Sequence, residues 1–247
     1  MGRPGASRSL AFWTLFGLLL PQALWVRQRA PRFGGAPGPR SGRSGTGPLQ
    51  RLVGLGDSVI DGVGCSSLDS ALIGRTAAAL ADRSGGSVEW TASARTGART
   101  HTVRTQLLPG ACIESADFVL VSTGVNDATG LTTIERFRRE LLRLIADIRR
   151  RAPNSSIAIN GLPPMHLFPA LPQPLRFTLG LRARQLDAVI AEVADDHPQL
   201  VRIALQFEPG RDDLLGRFAP DGYHPSESSC GELAEAIAQS MIDARPR

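Results

Sequence analysis

A chain of 247 residues, 42% hydrophobic and 21% charged, has enough apolar material for one sizeable core and is too apolar to be disordered over most of its length. Its net charge of +5 is unevenly spread: no Asp or Glu precedes Asp57, whereas Arg3, Arg8, Arg27, Arg29, Arg32, Arg40 and Arg43 do, so the part beyond residue 48 is close to neutral. All 28 basic residues are Arg, which excludes a P-loop, and the near-neutral body argues against a nucleic-acid partner.

Leu10 to Val26 is apolar apart from Thr14, Gly17, Pro21 and Gln22, and Arg flanks it on both sides. It lacks a good small-residue cleavage site, so residues 1–26 are expected to form an uncleaved membrane anchor, the membrane being contacted through residues 10–26. The expected location is therefore membrane-associated, on either side, with secretion or periplasmic release after signal cleavage as the alternative. Residues 27–48, rich in Gly, Pro, Arg and Ser, read as a flexible linker, which leaves 49–247 as the folded domain. Cys65, Cys112 and Cys230 have no metal-site spacing and read as small apolar residues.

Beyond the linker, short apolar runs alternate with helix-period segments. Leu49–Gly56, Ser87–Ser93, Asp117–Thr123, Ser155–Gly161 and Leu200–Leu205 are the predicted strands. Phe118-Val119-Leu120-Val121 is continuously apolar, as a parallel strand buried on both faces must be. Asp69–Arg83, His101–Leu108, Thr132–Arg151, Leu175–Ala194 and Glu227–Ile242 are the predicted helices. The Arg run from 136 to 151 reads as a solvated helix face. The pattern is a doubly wound α/β domain with five parallel strands, in which ligands bind beyond the carboxyl ends of the strands.

The chemistry-bearing residues fall at those ends. Ser58, in Gly56-Asp57-Ser58, follows the first strand, where a hydroxyl projects from the sheet; alone, such a Ser is more often a helix cap. Asp221-Gly222-Tyr223-His224 sets a carboxylate three residues before an imidazole, so Asp221 can orient His224 and His224 can take the proton of a hydroxyl nucleophile. An acyl transfer also needs donors for the developing oxyanion. The backbone N–H groups of Ser58 and Gly97 and the side-chain amide of Asn126 are the candidates.

These residues match in order the blocks of the SGNH (GDSL) hydrolases: Gly56-Asp57-Ser58, a Gly in the second block, Gly124-x-Asn126-Asp127 and Asp221-x-x-His224. Over residues 52–226 the chain resembles that family, although Ser93 to Arg99 lacks the Asn and second Gly often present in its second block. The resemblance implies a three-layer α/β/α flavodoxin-like domain without metal or cofactor. In it Ser58 attacks an acyl carbonyl, His224 is base and then acid, Asp221 orients it, and Ser58, Gly97 and Asn126 form the oxyanion hole.

The Pro-rich stretch from Leu162 to Pro174 follows the fourth strand, and Met165, Leu167 and Phe168 are the candidate contacts for an acyl chain. Together with the expected anchor they favour a lipid-like or other hydrophobic ester. The alternatives are a carbohydrate O-deacetylase or a thioesterase on the same site, and, in another class, an inactive membrane-associated binding module.

Overall fold

The computed structural model describes residues 19–26, 28–29, 33–197, 200–205 and 215–244. Six strands form one sheet: β1 (Ser41–Gly45), β2 (Leu49–Gly56), β3 (Ser87–Ala94), β4 (Phe118–Ser122), β5 (Ser156–Asn160) and β6 (Leu200–Ile203). Their spatial order is β1-β3-β2-β4-β5-β6, parallel throughout except for β1, which runs antiparallel to β3. The chain runs from β2 outward to β3, then returns to the other side of β2 for β4, so the order reverses beside β2. At such a reversal the flanking loops diverge and leave a crevice.

The long helices are α1 (Leu72–Ser84), α4 (Ile134–Arg151), α5 (Leu175–Asp195) and α6 (Glu227–Asp243). Two short ones, α2 (Thr100–Thr102) and α3 (Val125–Thr129), sit at the carboxyl end of the sheet. In β4, Phe118 and Leu120 face the core shared with α1 and α6, and Val119 and Val121 face the core shared with α4 and α5. Both sets are fully buried, which is why this strand reads as an unbroken apolar run. The result is a three-layer α/β/α domain with a mixed, mostly parallel sheet.

Within α4, Phe137, Leu141, Leu144, Ile145 and Ile148 recur at helical spacing and are buried, and Thr133 caps the helix by accepting from Arg136 N–H at 3.2 Å. The Arg run is only partly a solvated face. Arg149 donates to Ser155 O at 2.9 Å, and Arg151 donates to Ala111 O at 2.7 Å and to Glu114 at 2.8 Å. Those two arginines tie the end of α4 to neighbouring loops, their long side chains carrying the guanidinium to the loop carbonyls of Ser155 and Ala111.

Two sequence expectations are corrected. The sheet has a sixth, antiparallel strand, β1, inside residues 27–48, which were expected to be a flexible linker. Its residues, Ser-Gly-Arg-Ser-Gly, carry no β-branched or aromatic signal, and the pairing is made by the backbone. Gly42 is needed there: a Cβ would lie 2.5 Å from the Trp90 indole. Arg40, just before the strand, pairs with Asp61 at 2.7 Å.

The expected membrane anchor over residues 10–26 is also overturned, and with it the membrane partner and membrane-associated location. Among the described residues no helix is long and apolar enough to cross a membrane. Residues 10–18 lie outside the described residues. Residues 19–26 are helical and dock on the domain: Gln22 donates to Gln173 O at 2.9 Å and accepts from Leu175 N–H at 3.2 Å, and Ala23 and Val26 pack against the core. The polar Gln22 that interrupts the apolar run is the residue that makes these contacts.

Candidate active site

Sheet register puts the three chemistry-bearing loops side by side. Gly56 of β2 pairs with Ala94 of β3 and Ser122 of β4, so the chain leaves all three strands at one level. Gly56 has no room for a side chain, since a Cβ would meet Ser122 O at 2.4 Å. Ser58 then lies in a tight turn closed by Asp61 N–H donating to Asp57 O at 2.9 Å and Val63 N–H donating to Ser58 O at 3.0 Å. It is 8% exposed.

Asp57 fastens this turn to β4. Its Oδ1 accepts from Ser122 Oγ at 3.0 Å and Val59 N–H at 3.2 Å. Burial pushes its carboxyl up to about 7, the hydrogen bonds offsetting only part of the desolvation. Asp127 does the same for the next loop, accepting from Thr100 N–H and Oγ1, each at 2.9 Å, and burial raises its carboxyl too. Both aspartates tie loops together, as Asp does in turns.

After β3, Gly97 adopts φ +81°, a left-handed conformation that glycine takes without strain. After β4, Gly124 at φ +116° turns the chain into α3, whose first turn carries Asn126. The Asn126 amide donates to Ala98 O at 3.1 Å, joining the β4 loop to the residue after Gly97. Sequence reading placed Asn126 just beyond the end of a strand and did not include this short helix.

At the far end of the chain, a turn before α6 is closed by Gly222 at φ +64° and by an isolated bridge between Phe218 and Pro225. Asp221 Oδ2 lies 2.5 Å from His224 Nδ1, and Oδ1 accepts the N–H groups of Tyr223 at 2.9 Å and His224 at 3.0 Å. Burial opposes the charge on Asp221, but these bonds outweigh it and hold the carboxyl below its ordinary range. With Nδ1 engaged by the carboxylate, Nε2 is the nitrogen left to exchange a proton.

Ser58 and His224 line one cavity of about 260 Å³ at the carboxyl ends of β2, β4 and β5. Phe168, a candidate acyl contact, also lines it, stacked edge-on against Tyr223 at 4.9 Å and Phe218 at 5.4 Å. Met165 is fully buried in the core, and neither Met165 nor Leu167 is on the cavity wall. Gly97 and Asn126 lie outside the wall as well; Gly97 borders a separate polar cavity with Arg99, Asp127 and Arg136. Sequence reasoning missed Tyr223, Phe218, Asn160 and the α6 residues Leu233 and Ala236 as wall residues. Tyr223 was within sight, sitting inside the Asp-x-x-His block. Among the described residues, no group of His, Cys, Asp or Glu is arranged to hold a metal ion.

Residues 55–228 match the model of the GDSL-like Lipase/Acylhydrolase family. The chain belongs to that family. As a GDSL-like family member it is a hydrolase acting on ester bonds, with the fold expected of that family. A GDSL-like esterase of Mycobacterium tuberculosis is 26% identical over 257 residues, covering 97% of this chain and 80% of the relative. Among solved structures, a lipase/acylhydrolase from Enterococcus faecalis superposes with a TM-score of 0.62 at 23% identity, covering 80% of this chain and 97% of that one. A family 3 carbohydrate esterase from Clostridium thermocellum superposes with a TM-score of 0.58 at 17% identity, covering 79% and 96%. At these identities the structural likenesses carry the fold and leave the substrate open.

Proposed function

We propose that this GDSL-like esterase is a serine hydrolase with Ser58 as nucleophile, His224 as general base and then acid, and Asp221 as the residue that orients His224. The observation that carries the reading is the Asp221–His224 pair, whose His224 lines the same cavity as Ser58. In this mechanism Ser58 Oγ attacks the acyl carbonyl as its proton passes to His224 Nε2. The imidazolium, stabilised by Asp221, returns the proton to the leaving alcohol, and water drawn through the same nitrogen then releases the acid from Ser58.

The oxyanion donors in this reading are the N–H groups of Ser58 and Gly97 and the Asn126 amide. The bond from Asn126 to Ala98 O uses one of its two amide hydrogens and leaves the other for substrate. Phe168, Tyr223, Phe218 and Leu233 give the cavity an apolar wall, which favours a hydrophobic acyl group over a carbohydrate acetyl ester.

Hydrolysis of p-nitrophenyl esters from acetate to palmitate, with Ser58→Ala alongside, tests this. The expected result is Ser58-dependent turnover that is greatest beyond acetate. Undiminished turnover in Ser58→Ala overturns the nucleophile, and an optimum at acetate overturns the hydrophobic substrate.

A further inference from the structure

Asn160 ends β5 and lines the same cavity as Ser58 and His224. It is 4% exposed, and its side-chain Oδ1 is buried without a hydrogen-bond partner. Two other polar side chains on this face of the sheet that lie near it are satisfied, although the Trp90 indole N–H of β3, away from the cavity wall, is also buried without a partner. Ser122 Oγ donates to Asp57, and Ser156 Oγ, four residues before Asn160 and on the same face by strand alternation, donates to Met241 O of α6. A buried amide left unpaired in a folded protein is an exception that calls for a partner.

The surroundings restrict what that partner is. Leu233 and Ala236 of α6, Phe168 and Pro163 share the wall with Asn160, as do the polar Glu232 and Arg217, so the amide is set in a lining that is mostly apolar. A group reaching it must be mostly hydrocarbon and must carry one small polar function. A hydroxyl fits either half of an amide, since it both donates and accepts. β4 separates β5 from β2, so the carboxyl ends of the two strands are two inter-strand spacings apart, about 10 Å. The hydroxyl therefore belongs several carbons from the carbonyl that Ser58 attacks. Walled by α6, this space suits the acyl group, which stays on the nucleophile while the alcohol departs.

We propose that Asn160 reads a hydroxyl on the acyl chain, making medium-chain hydroxyacyl esters the preferred substrate class; this rests on the serine-hydrolase reading of the same cavity. The test compares p-nitrophenyl octanoate with octanoates hydroxylated at carbon 6, 7 or 8, in the full chain and in Asn160→Leu. The full chain is expected to favour at least one hydroxylated ester by about tenfold in kcat/KM, and Asn160→Leu to favour the plain ester.

Asn160→Ala serves the same comparison if the Leu variant does not fold, and it too is expected to lose the preference. Equal kcat/KM values for plain and hydroxylated esters, as a water retained beside Asn160 would give, overturn the proposal. If octanoate turnover depends on Ser58 while the ratio is unmoved by either variant, the role of Asn160 fails and the serine-hydrolase reading stands. If no ester shows Ser58-dependent turnover, both fail.

Discussion

Asp221 grips His224 at two points: Oδ2 meets the ring at Nδ1 at 2.5 Å, and Oδ1 accepts the backbone N–H of the same residue at 3.0 Å. One carboxylate thus sets the position of the histidine and the tautomer of its ring. Asp221→Asn keeps an acceptor for the backbone N–H groups but replaces the charge facing the ring. A fall in kcat of about 10⁴-fold is expected with the fold retained, as when the orienting carboxylate of a triad is replaced by an amide. Steady-state kinetics beside a thermal melt measure it, and a kcat within tenfold of the unmodified enzyme would remove Asp221 from the mechanism. Because the fold lowers the Asp221 pKa, the stability it adds is present at neutral pH and is lost as pH falls through that lowered value.

Asn126 bonds to Ala98 O across two loops, so replacing it has two separable consequences. If the amide also donates to the oxyanion, Asn126→Ala lowers kcat by about 10²–10³-fold with little change in KM. If it serves only as a loop tie, the melting temperature drops while kcat holds. Kinetics and melting curves on the same preparation separate the two, and an unchanged kcat would end its assignment as a donor.

Asp57 is buried next to Ser58 with a carboxyl pushed up to about 7 by that burial. In the unfolded chain the same group titrates near 3.8. Between those values the folded state holds a proton that the unfolded state has lost, so the contribution of Asp57 to stability declines as pH rises from about 4 to about 7 and levels off above. Asp57→Asn imitates the protonated form at every pH. Relative to the unmodified protein, its melting temperature is expected to improve from about pH 4 to about pH 7 and to level off above; a constant difference across that range would show that Asp57 does not titrate there.

Most of the sheet was legible in the sequence because its strands are marked by side chains. The continuous Phe118–Val121 run and the 3.6-residue periodicity of α4 both record burial directly. Asp221 and His224 were legible because three residues of separation on a turn suffice to join them. The cavity wall was not. Asn160, Phe218 and the α6 pair Leu233 and Ala236 come from three separate places in the chain and meet only through the order of β5, β6 and α6. Met165 and Leu167 miss the wall for a related reason: a 3-10 turn over Met165–Leu167 sends Met165 into the core and leaves Phe168 to face the cavity. β1 escaped because a glycine-rich edge strand has no side-chain alternation to read, and the apolar run ending at Val26 misled because hydrophobicity alone does not distinguish a membrane from the protein's own surface.

The docking of the amino-terminal residues leads to a prediction about where the stable domain begins. A chain starting at Phe33 loses the Gln22 bonds to Gln173 and Leu175 but keeps β1, and each lost kcal/mol lowers the melting temperature of a domain this size by about 2–4 °C. A chain starting at Pro48 loses β1 as well. That exposes the edge of β3, uncovers Trp90 where Gly42 lay against it, and removes Arg40 from Asp61, which holds Thr96 N–H at 3.0 Å and Thr96 Oγ1 at 2.6 Å at the start of the Gly97 loop. An open strand edge invites pairing between chains. Melting curves and size-exclusion profiles of residues 33–247 and 48–247 are therefore expected to diverge: a modest loss of stability in the first, and a larger loss with self-association in the second. If the two behave alike, β1 adds no measurable stability to the domain, which then begins at β2 after all.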